Sequence, residues 1–422
     1  MINLSNFFAI ISSLIMTVFK KIVVIGAGTM GSGIAAHLAN SERKVVLLDL
    51  KGKESANQIS EKAIDLIKKS DPPLLVEKSR LSYIKPGNLT DNFNEIKDAD
   101  WIIEAVVERI DIKHQLYSEI DKVRSSDSIV SSNTSTIPLS VLTEEMSESM
   151  KSDFCITHFF NPVRFMRLLE IVETPQINAK KIVSLRDFCQ NELGKGIVNC
   201  NDTPGFIGNR IGVYAMQVAM YEALERGLSV EIADALFGRP LGIPKTGVFG
   251  LYDLIGIDLM KDVLASFKKE LQEHDPFMNV VKPHPIVEQL LERGYTGNKG
   301  PGGFYENKIV DGDEITKALK TSDMSYYDFD KVDLPIARKV EKEGMKALLD
   351  DDSEYGKYAF AVLSKIINYS AFCIPEVSSR VKDVDDALRM GFNWNEGPFE
   401  LLFEYGLEKY IRRLQDEGIE VP

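Results

Sequence analysis

The chain has four cysteines, Cys155, Cys189, Cys200 and Cys373, and none stands in a Cys-x-x-Cys spacing or beside a companion histidine. That pattern excludes a disulfide framework and a zinc site, and it fits reduced thiols in a cytoplasmic protein without a bound metal. An excess of positive charge is also missing. With 63 acidic against 50 basic residues the formal charge is -13, which repels phosphate backbones and argues against nucleic-acid binding, while a local basic pocket for an anionic ligand remains open. The apolar run near the N-terminus, Phe7 to Phe19, has thirteen residues broken by Ser12, Ser13 and Thr17, too short to span a bilayer. No basic residue precedes it and no Ala-x-Ala-like site follows, so a signal peptide or membrane anchor fits poorly and no stable membrane insertion is expected. Residues 1–18 are set apart as an N-terminal extension, and a start at Met16 would account for residues 1–15, because Met-Thr-Val-Phe-Lys-Lys leads naturally into a first strand. What remains is ordinary globular composition, 44% hydrophobic and 27% charged over 422 residues, enough for two or three domains.

Ile22 to Ile25 is a β-branched run that ends in a glycine-rich turn, a helical pattern and a second run at Val45 to Leu48. Further buried strands are predicted at Trp101 to Ala105, Ser128 to Ser131 and Phe154 to Phe160, separated by helical segments such as 111–124. This alternation predicts an α/β domain with a mainly parallel sheet over residues 19–201. Strand signals then stop. Amphipathic helices are predicted over 202–305, residues 306–333 read as an acidic linker, and a second helical block covers 334–422. That block repeats the first: Ala233-Asp234-Ala235-Leu236 recurs as Asp385-Asp386-Ala387-Leu388, and Gly247 to Gly256 recurs as Gly397 to Gly406. Two matches in the same order at nearly one offset point to duplicated helical domains.

Gly26-Ala27-Gly28-Thr29-Met30-Gly31 has the Gly-x-Gly-x-x-Gly spacing in the context the pattern needs, after a strand and before a helix. Gly26 permits the tight turn, Gly28 lets the backbone approach a pyrophosphate, and Gly31 brings helix and strand close. The helix N-terminus then faces the anion. Asp49, 23 residues after Gly26 at the end of the second strand, is placed to accept hydrogen bonds from ribose hydroxyls and would repel a 2′-phosphate. NAD is therefore favoured over NADP, although Lys51 and Lys53 leave the latter open.

Among five histidines, His158 stands in an apolar strand, and Glu170 follows in a second apolar run, Leu168 to Val172. A hairpin centred near Arg164 sets the two side chains opposite each other. The carboxylate would orient the imidazole and stabilise its charged form, the requirement for a base that removes a hydroxyl proton. A core histidine with an unrelated glutamate is the alternative. Ser132-Asn133-Thr134-Ser135 follows another apolar strand, where open α/β sheets bind ligands, or it caps a helix.

These residues resemble the L-3-hydroxyacyl-CoA dehydrogenases of fatty-acid β-oxidation. The resemblance rests on GAGTMG at 26–31, WIIEAVVE at 101–108, SNTS at 132–135, HFFNPV at 158–163, DTPGFIGNR at 202–210 and GNKGPGGFY at 297–305. It implies a Rossmann-type NAD-binding domain followed by two related all-α C-terminal domains like those of 6-phosphogluconate dehydrogenase, as in the dehydrogenase part of multifunctional β-oxidation proteins. It implies NAD-dependent oxidation of (S)-3-hydroxyacyl-CoA, with His158 as the base, Glu170 orienting it, and Ser135 and Asn209 holding substrate and cofactor. Glu108, Lys113 and Lys299 match positions associated with the cofactor; surface ion pairing is their alternative reading. No enoyl-CoA hydratase half is expected here, so a separate hydratase or thiolase would be the partner. The fused second copy predicts a pseudo-dimeric monomer, or a homo-oligomer built on it, because single-copy members dimerise through this domain. Two other readings stay open, a reductive 3-hydroxybutyryl-CoA dehydrogenase and a non-catalytic nucleotide-binding subunit. Arg164, Val248 and Gly250 depart from the family pattern.

Overall fold

The computed structural model describes residues 19–310, 313–329 and 332–422. The expected N-terminal extension, residues 1–18, lies outside them. The chain divides into two compact units between Thr203 and Pro204.

The first unit runs β1 (Lys21–Ile25), α1 (Thr29–Asn40), β2 (Lys44–Asp49), α2 (Gln58–Lys69), β3 (Ile84–Asn88), β4 (Trp101–Glu104), α3 (Ile110–Val123) and β5 (Ile129–Ser132). Two short helices, α4 (Leu139–Leu142) and α5 (Glu148–Ser152), precede β6 (Phe154–Phe159), β7 (Leu168–Glu173), α6 (Ala179–Asp187) and β8 (Gly196–Asn199). The eight strands form one sheet in the order β3-β2-β1-β4-β5-β6-β7-β8. All neighbours are parallel except β6 and β7, which form a hairpin. Ile22, Val23, Val24 and Ile25 are all fully buried, so both faces of the sheet are covered, which is why the central strands read as unbroken apolar runs. The strands missing from the sequence prediction, β3 and β8, are the sheet edges. β3 carries Pro86 and Gly87, residues that an edge strand tolerates and an interior one does not.

The second unit begins with α7 (Gly208–Glu225), α8 (Val230–Leu236), α9 (Phe249–Ile255), α10 (Ile257–Glu270) and α11 (Pro285–Glu292). The segment predicted to be a linker differs from that expectation. It holds an antiparallel sheet of β9 (Tyr305–Val310), β10 (Asp313–Lys320) and β11 (Ser325–Asp328) in the order β11-β10-β9. Main-chain pairing builds this sheet with little apolar content; in β10, Ala318 and Leu319 are the residues described as buried. Then follow α12 (Pro335–Glu343), α13 (Lys346–Leu349), α14 (Glu354–Cys373), α15 (Val381–Gly391), α16 (Pro398–Tyr405) and α17 (Leu407–Asp416).

The internal repeat is physical, and its register is one residue away from the sequence match. Asp234 accepts the N–H groups of Phe249 (2.7 Å) and Gly250 (3.0 Å) at the start of α9. Asp385, not Asp386, accepts that of Phe399 (2.8 Å) at the start of α16. A Cβ on Gly247 would fall 2.4 Å from Asp234, and one on Gly397 within 2.4 Å of Asp385, so each copy needs a glycine beside its buried carboxylate. Because main-chain N–H groups are what each aspartate holds, Val248 and Gly250 can depart from the form kept at 398–401. The two copies pack through their long helices: Tyr358 of α14 donates to the Ala219 carbonyl of α7 (3.1 Å), and the rings of Tyr214 and Tyr369 stack at 3.9 Å.

Burial pushes the Asp234 carboxyl up to about 7, partly opposed by the N–H groups it accepts. Its folded pKa lies above the ordinary aspartate value, so its contribution to stability is full below that ordinary value and is lost as pH rises through about 7. Asp234→Asn removes this component. Thermal melts from about pH 5 to pH 8 should show the wild-type advantage in Tm over the variant shrinking as pH rises. A difference that stays constant with pH contradicts the assignment.

Candidate active site

The glycine loop opens the first unit's site. Gly26 has φ +103°, and a Cβ there would stand 2.4 Å from the Ala105 carbonyl oxygen that follows β4. Gly31 needs its missing side chain for the reason read from the sequence, since a Cβ would lie 1.8 Å from the Gly26 carbonyl oxygen. Gly28 differs. Its backbone is extended (φ -70°, ψ -171°) and a Cβ would meet nothing within 4 Å. No protein atom requires that glycine, and the space beside it opens at the N-terminus of α1, where no side chain caps the helix. A clear approach, a helix N-terminus and a carboxylate nearby fit the pyrophosphate and ribose of a dinucleotide. Ala27, Thr29 and Met30 complete the loop.

Asp49 closes this turn at the carboxyl end of β2. Its Oδ2 accepts the Ala27 N–H at 2.6 Å, and its Oδ1 accepts the Leu50 N–H at 2.6 Å. It therefore anchors the loop as well as standing where the ribose hydroxyls are expected. Of the two lysines that kept NADP open, Lys51 pairs with Asp91 at 3.0 Å and Lys53 is exposed.

His158 and Glu170 face each other across the β6–β7 ladder. The imidazole Nδ1 lies 2.7 Å from Glu170 Oε2, with the histidine nearly buried and the glutamate wholly so. A carboxylate accepts here, so Nδ1 carries the hydrogen and Nε2 is the basic nitrogen. The other Glu170 oxygen receives the Cys200 thiol at 3.5 Å. In the connection between the strands, Arg164 donates to the carbonyl of Leu75 (3.1 Å) and to that of Pro73. That residue, foreign to the family pattern, thus ties the connection to the loop at 73–75.

The turn after β5 is held by side chains around it. Asn133 Oδ1 accepts the Phe159 N–H at 2.9 Å, which fixes the strand residue next to His158. Ser135 is half-buried, and its N–H donates to Glu108 at 3.1 Å. Glu108 also takes Lys113 Nζ at 3.2 Å. The surface-pairing alternative fails for Lys113, which is 1% exposed and bonds to Glu104 at 2.6 Å. Glu104 is the site residue that sequence reasoning missed. A carboxylate directly ending an apolar strand, as Asp49 ends β2, was the available signal.

The remaining two candidates belong to the second unit. Asn209 stands in the first turn of α7, next to the buried Arg210, whose guanidinium donates to Tyr369 at 2.5 Å and to Asp275. Lys299 is exposed and donates to the Ile255 carbonyl at 3.1 Å. Among the described residues no group of three or more His, Cys, Asp or Glu side chains could hold a metal ion, and no helix is long and apolar enough to cross a membrane.

Sheet order, glycine loop and terminal carboxylate define a dinucleotide-binding domain of Rossmann type. Residues 21–203 match the NAD-binding domain of 3-hydroxyacyl-CoA dehydrogenase, and residues 205–307 match its C-terminal domain. The chain belongs to the 3-hydroxyacyl-CoA dehydrogenase family. It is 40% identical over 385 residues to a Rickettsia felis protein named as a fatty acid oxidation complex trifunctional enzyme, covering 91% of this chain and 53% of that one. It is 35% identical to a Bacillus subtilis protein named a probable 3-hydroxyacyl-CoA dehydrogenase, covering 96% of this chain and 53% of that one. The chain thus spans about half the length of these relatives. A crystal structure of 3-hydroxybutyryl-CoA dehydrogenase from Escherichia coli K12 shares the fold with a TM-score of 0.72 at 22% identity, over 96% of each chain.

Proposed function

We propose that the protein interconverts (S)-3-hydroxyacyl-CoA and 3-oxoacyl-CoA with NAD, as a dehydrogenase of fatty-acid β-oxidation. The observation that carries this reading is the buried His158–Glu170 pair, 2.7 Å apart, in a unit built for a dinucleotide. NAD held by this unit would supply the acceptor for hydride from the substrate C3 and, as NADH, its donor. His158 Nε2 withdraws the 3-hydroxyl proton during oxidation and gives it back during reduction. Glu170 holds the ring in that tautomer and stabilises the imidazolium. Ser135 presents its hydroxyl to the substrate oxygen, and Asn209 steadies the thioester, which supplies positioning and charge stabilisation. The Gly26–Gly31 loop, Asp49, Glu108, Lys113 and Lys299 hold the cofactor.

The contact between α7 and α14 joins the two helical copies within one chain. We propose a pseudo-dimeric monomer, or a homo-oligomer built on it, working in the cytoplasm with an enoyl-CoA hydratase or thiolase.

The test is NADH consumption with acetoacetyl-CoA, with NADPH in parallel and free acetoacetate as the substrate lacking the thioester. Turnover is expected with NADH and the CoA ester only. A folded protein that binds NADH but reduces neither acetoacetyl-CoA nor longer 3-oxoacyl-CoA esters would instead be a non-catalytic subunit.

A further inference from the structure

The proposed roles fall on residues scattered over strands, helices and loops, yet one side chain that has no assigned role bonds directly to one of them, Lys113, and lies one or two bonds from others. Glu104 ends β4 with no exposed surface. Its Oε1 accepts Lys113 Nζ at 2.6 Å and the Val106 N–H at 2.8 Å. Its Oε2 accepts the Tyr117 hydroxyl at 2.5 Å and the Ser132 hydroxyl at 2.6 Å. Its carbonyl oxygen accepts the Asn133 N–H at 2.8 Å. A wholly buried carboxylate is tolerated because these donors and one ammonium satisfy it.

Three paths leave this residue, one from its carboxylate and two from its main chain. Through Lys113 it reaches Glu108, and through Glu108 the N–H of Ser135. Through Asn133 it reaches the Phe159 N–H beside His158. Along the main chain, the next residue, Ala105, presses its carbonyl against Gly26 and donates its N–H to Ile25 at 2.7 Å. The cofactor loop, the cofactor-side ion pair and the substrate-side turn therefore share one buried anchor.

We propose that Glu104 is the positioning residue of this site, aiming Lys113 at the cofactor and setting the Ser132–Ser135 turn against β6. Its carboxylate acts through Lys113 and Ser132 and does not itself meet the reactants. The proposal rests on the cofactor role given above to Lys113. Its readout is NADH binding, which stays measurable whether or not an acyl-CoA is turned over.

The experiment is a double-mutant cycle read by calorimetric NADH titration of the full chain, using Glu104→Gln, Lys113→Met and the pair, with melting curves for each. Glu104→Gln should weaken NADH binding on the order of 10–100-fold, the scale of loss from a misplaced site. The double variant should be no weaker than Lys113→Met alone, because the carboxylate works through the ammonium. Glu104→Asp keeps the charge on a shorter arm and should recover part of the affinity. Losses that add in the double variant would overturn the proposal, as would Glu104→Gln binding NADH like wild type while melting lower. If Glu104→Gln does not fold, Glu104→Asp decides: wild-type NADH affinity in a variant that melts lower makes Glu104 structural, and reduced affinity supports positioning. Wild-type affinity in Lys113→Met would remove the cofactor role on which the proposal rests, without touching the dehydrogenase assignment of His158.

Discussion

His158→Gln is expected to lower kcat for 3-oxoacyl-CoA reduction by about 10²–10⁴, the range attributed to a positioned general acid–base group, while NADH affinity stays at the wild-type value. The substitution is chosen for what it preserves. Glu170 is wholly buried, and removing the His158 donor would take the charge-assisted bond from a carboxylate in the core, a loss of stability that would mask the kinetic effect. A glutamine amide can still donate to Glu170 Oε2, where Nδ1 now lies 2.7 Å away. It cannot exchange a proton near neutral pH. Loss of turnover in a protein that melts and binds NADH like wild type therefore isolates proton transfer. A variant that keeps kcat within a few-fold would show that His158 is a core histidine beside a structural glutamate.

Gly28→Val should abolish most NADH binding and leave the fold intact. A Cβ at Gly28 has no neighbour within 4 Å, and the φ of -70° suits any residue. The free protein should therefore melt at the wild-type temperature. If a pyrophosphate lies against that backbone, the added branches overlap it, and overpacking of about 1–3 kcal/mol translates to roughly 5–150-fold weaker binding. Gly31→Ala makes the opposite pattern: its Cβ would lie 1.8 Å from the Gly26 carbonyl oxygen, so Tm falls even without ligand. Calorimetric titration beside thermal melts separates the two cases. Unchanged NADH affinity in Gly28→Val would place the cofactor elsewhere.

Burial on both faces made the sheet's interior readable from sequence. Ile22 to Ile25 and Trp101 to Ile103 read as strands of a covered sheet, whereas the edge strand Ile84–Asn88 sets a single aliphatic residue, Ile84, beside Lys85, Pro86, Gly87 and Asn88 and carries no periodic signal. Strand Asp313–Lys320 was hidden for a related reason, since main-chain pairing on both edges builds it and, among its described side chains, Ala318 and Leu319 are the buried ones. The His158–Glu170 pair was legible because a hairpin is symmetric about its turn, so equal distances from Arg164 placed the two in register. Glu104 was not. Its place at the end of an apolar strand was the one local signal; its partners at 113, 117 and 132 are brought to it by a helix and a parallel crossover, a meeting made by topology. The register of the helical repeat slipped by one residue because sequence identity follows Ala-Leu, while the structure equates the aspartates that hold helix N–H groups.

The measurement that tests the central claim most directly is transfer of label from NADH carrying deuterium at the nicotinamide C4 to acetoacetyl-CoA. The account predicts (S)-3-hydroxybutyryl-CoA with one deuterium at C3, formed by the wild-type protein and not by His158→Gln. Product of the other configuration, label lost to solvent, or labelled product at an undiminished rate in the variant would contradict it.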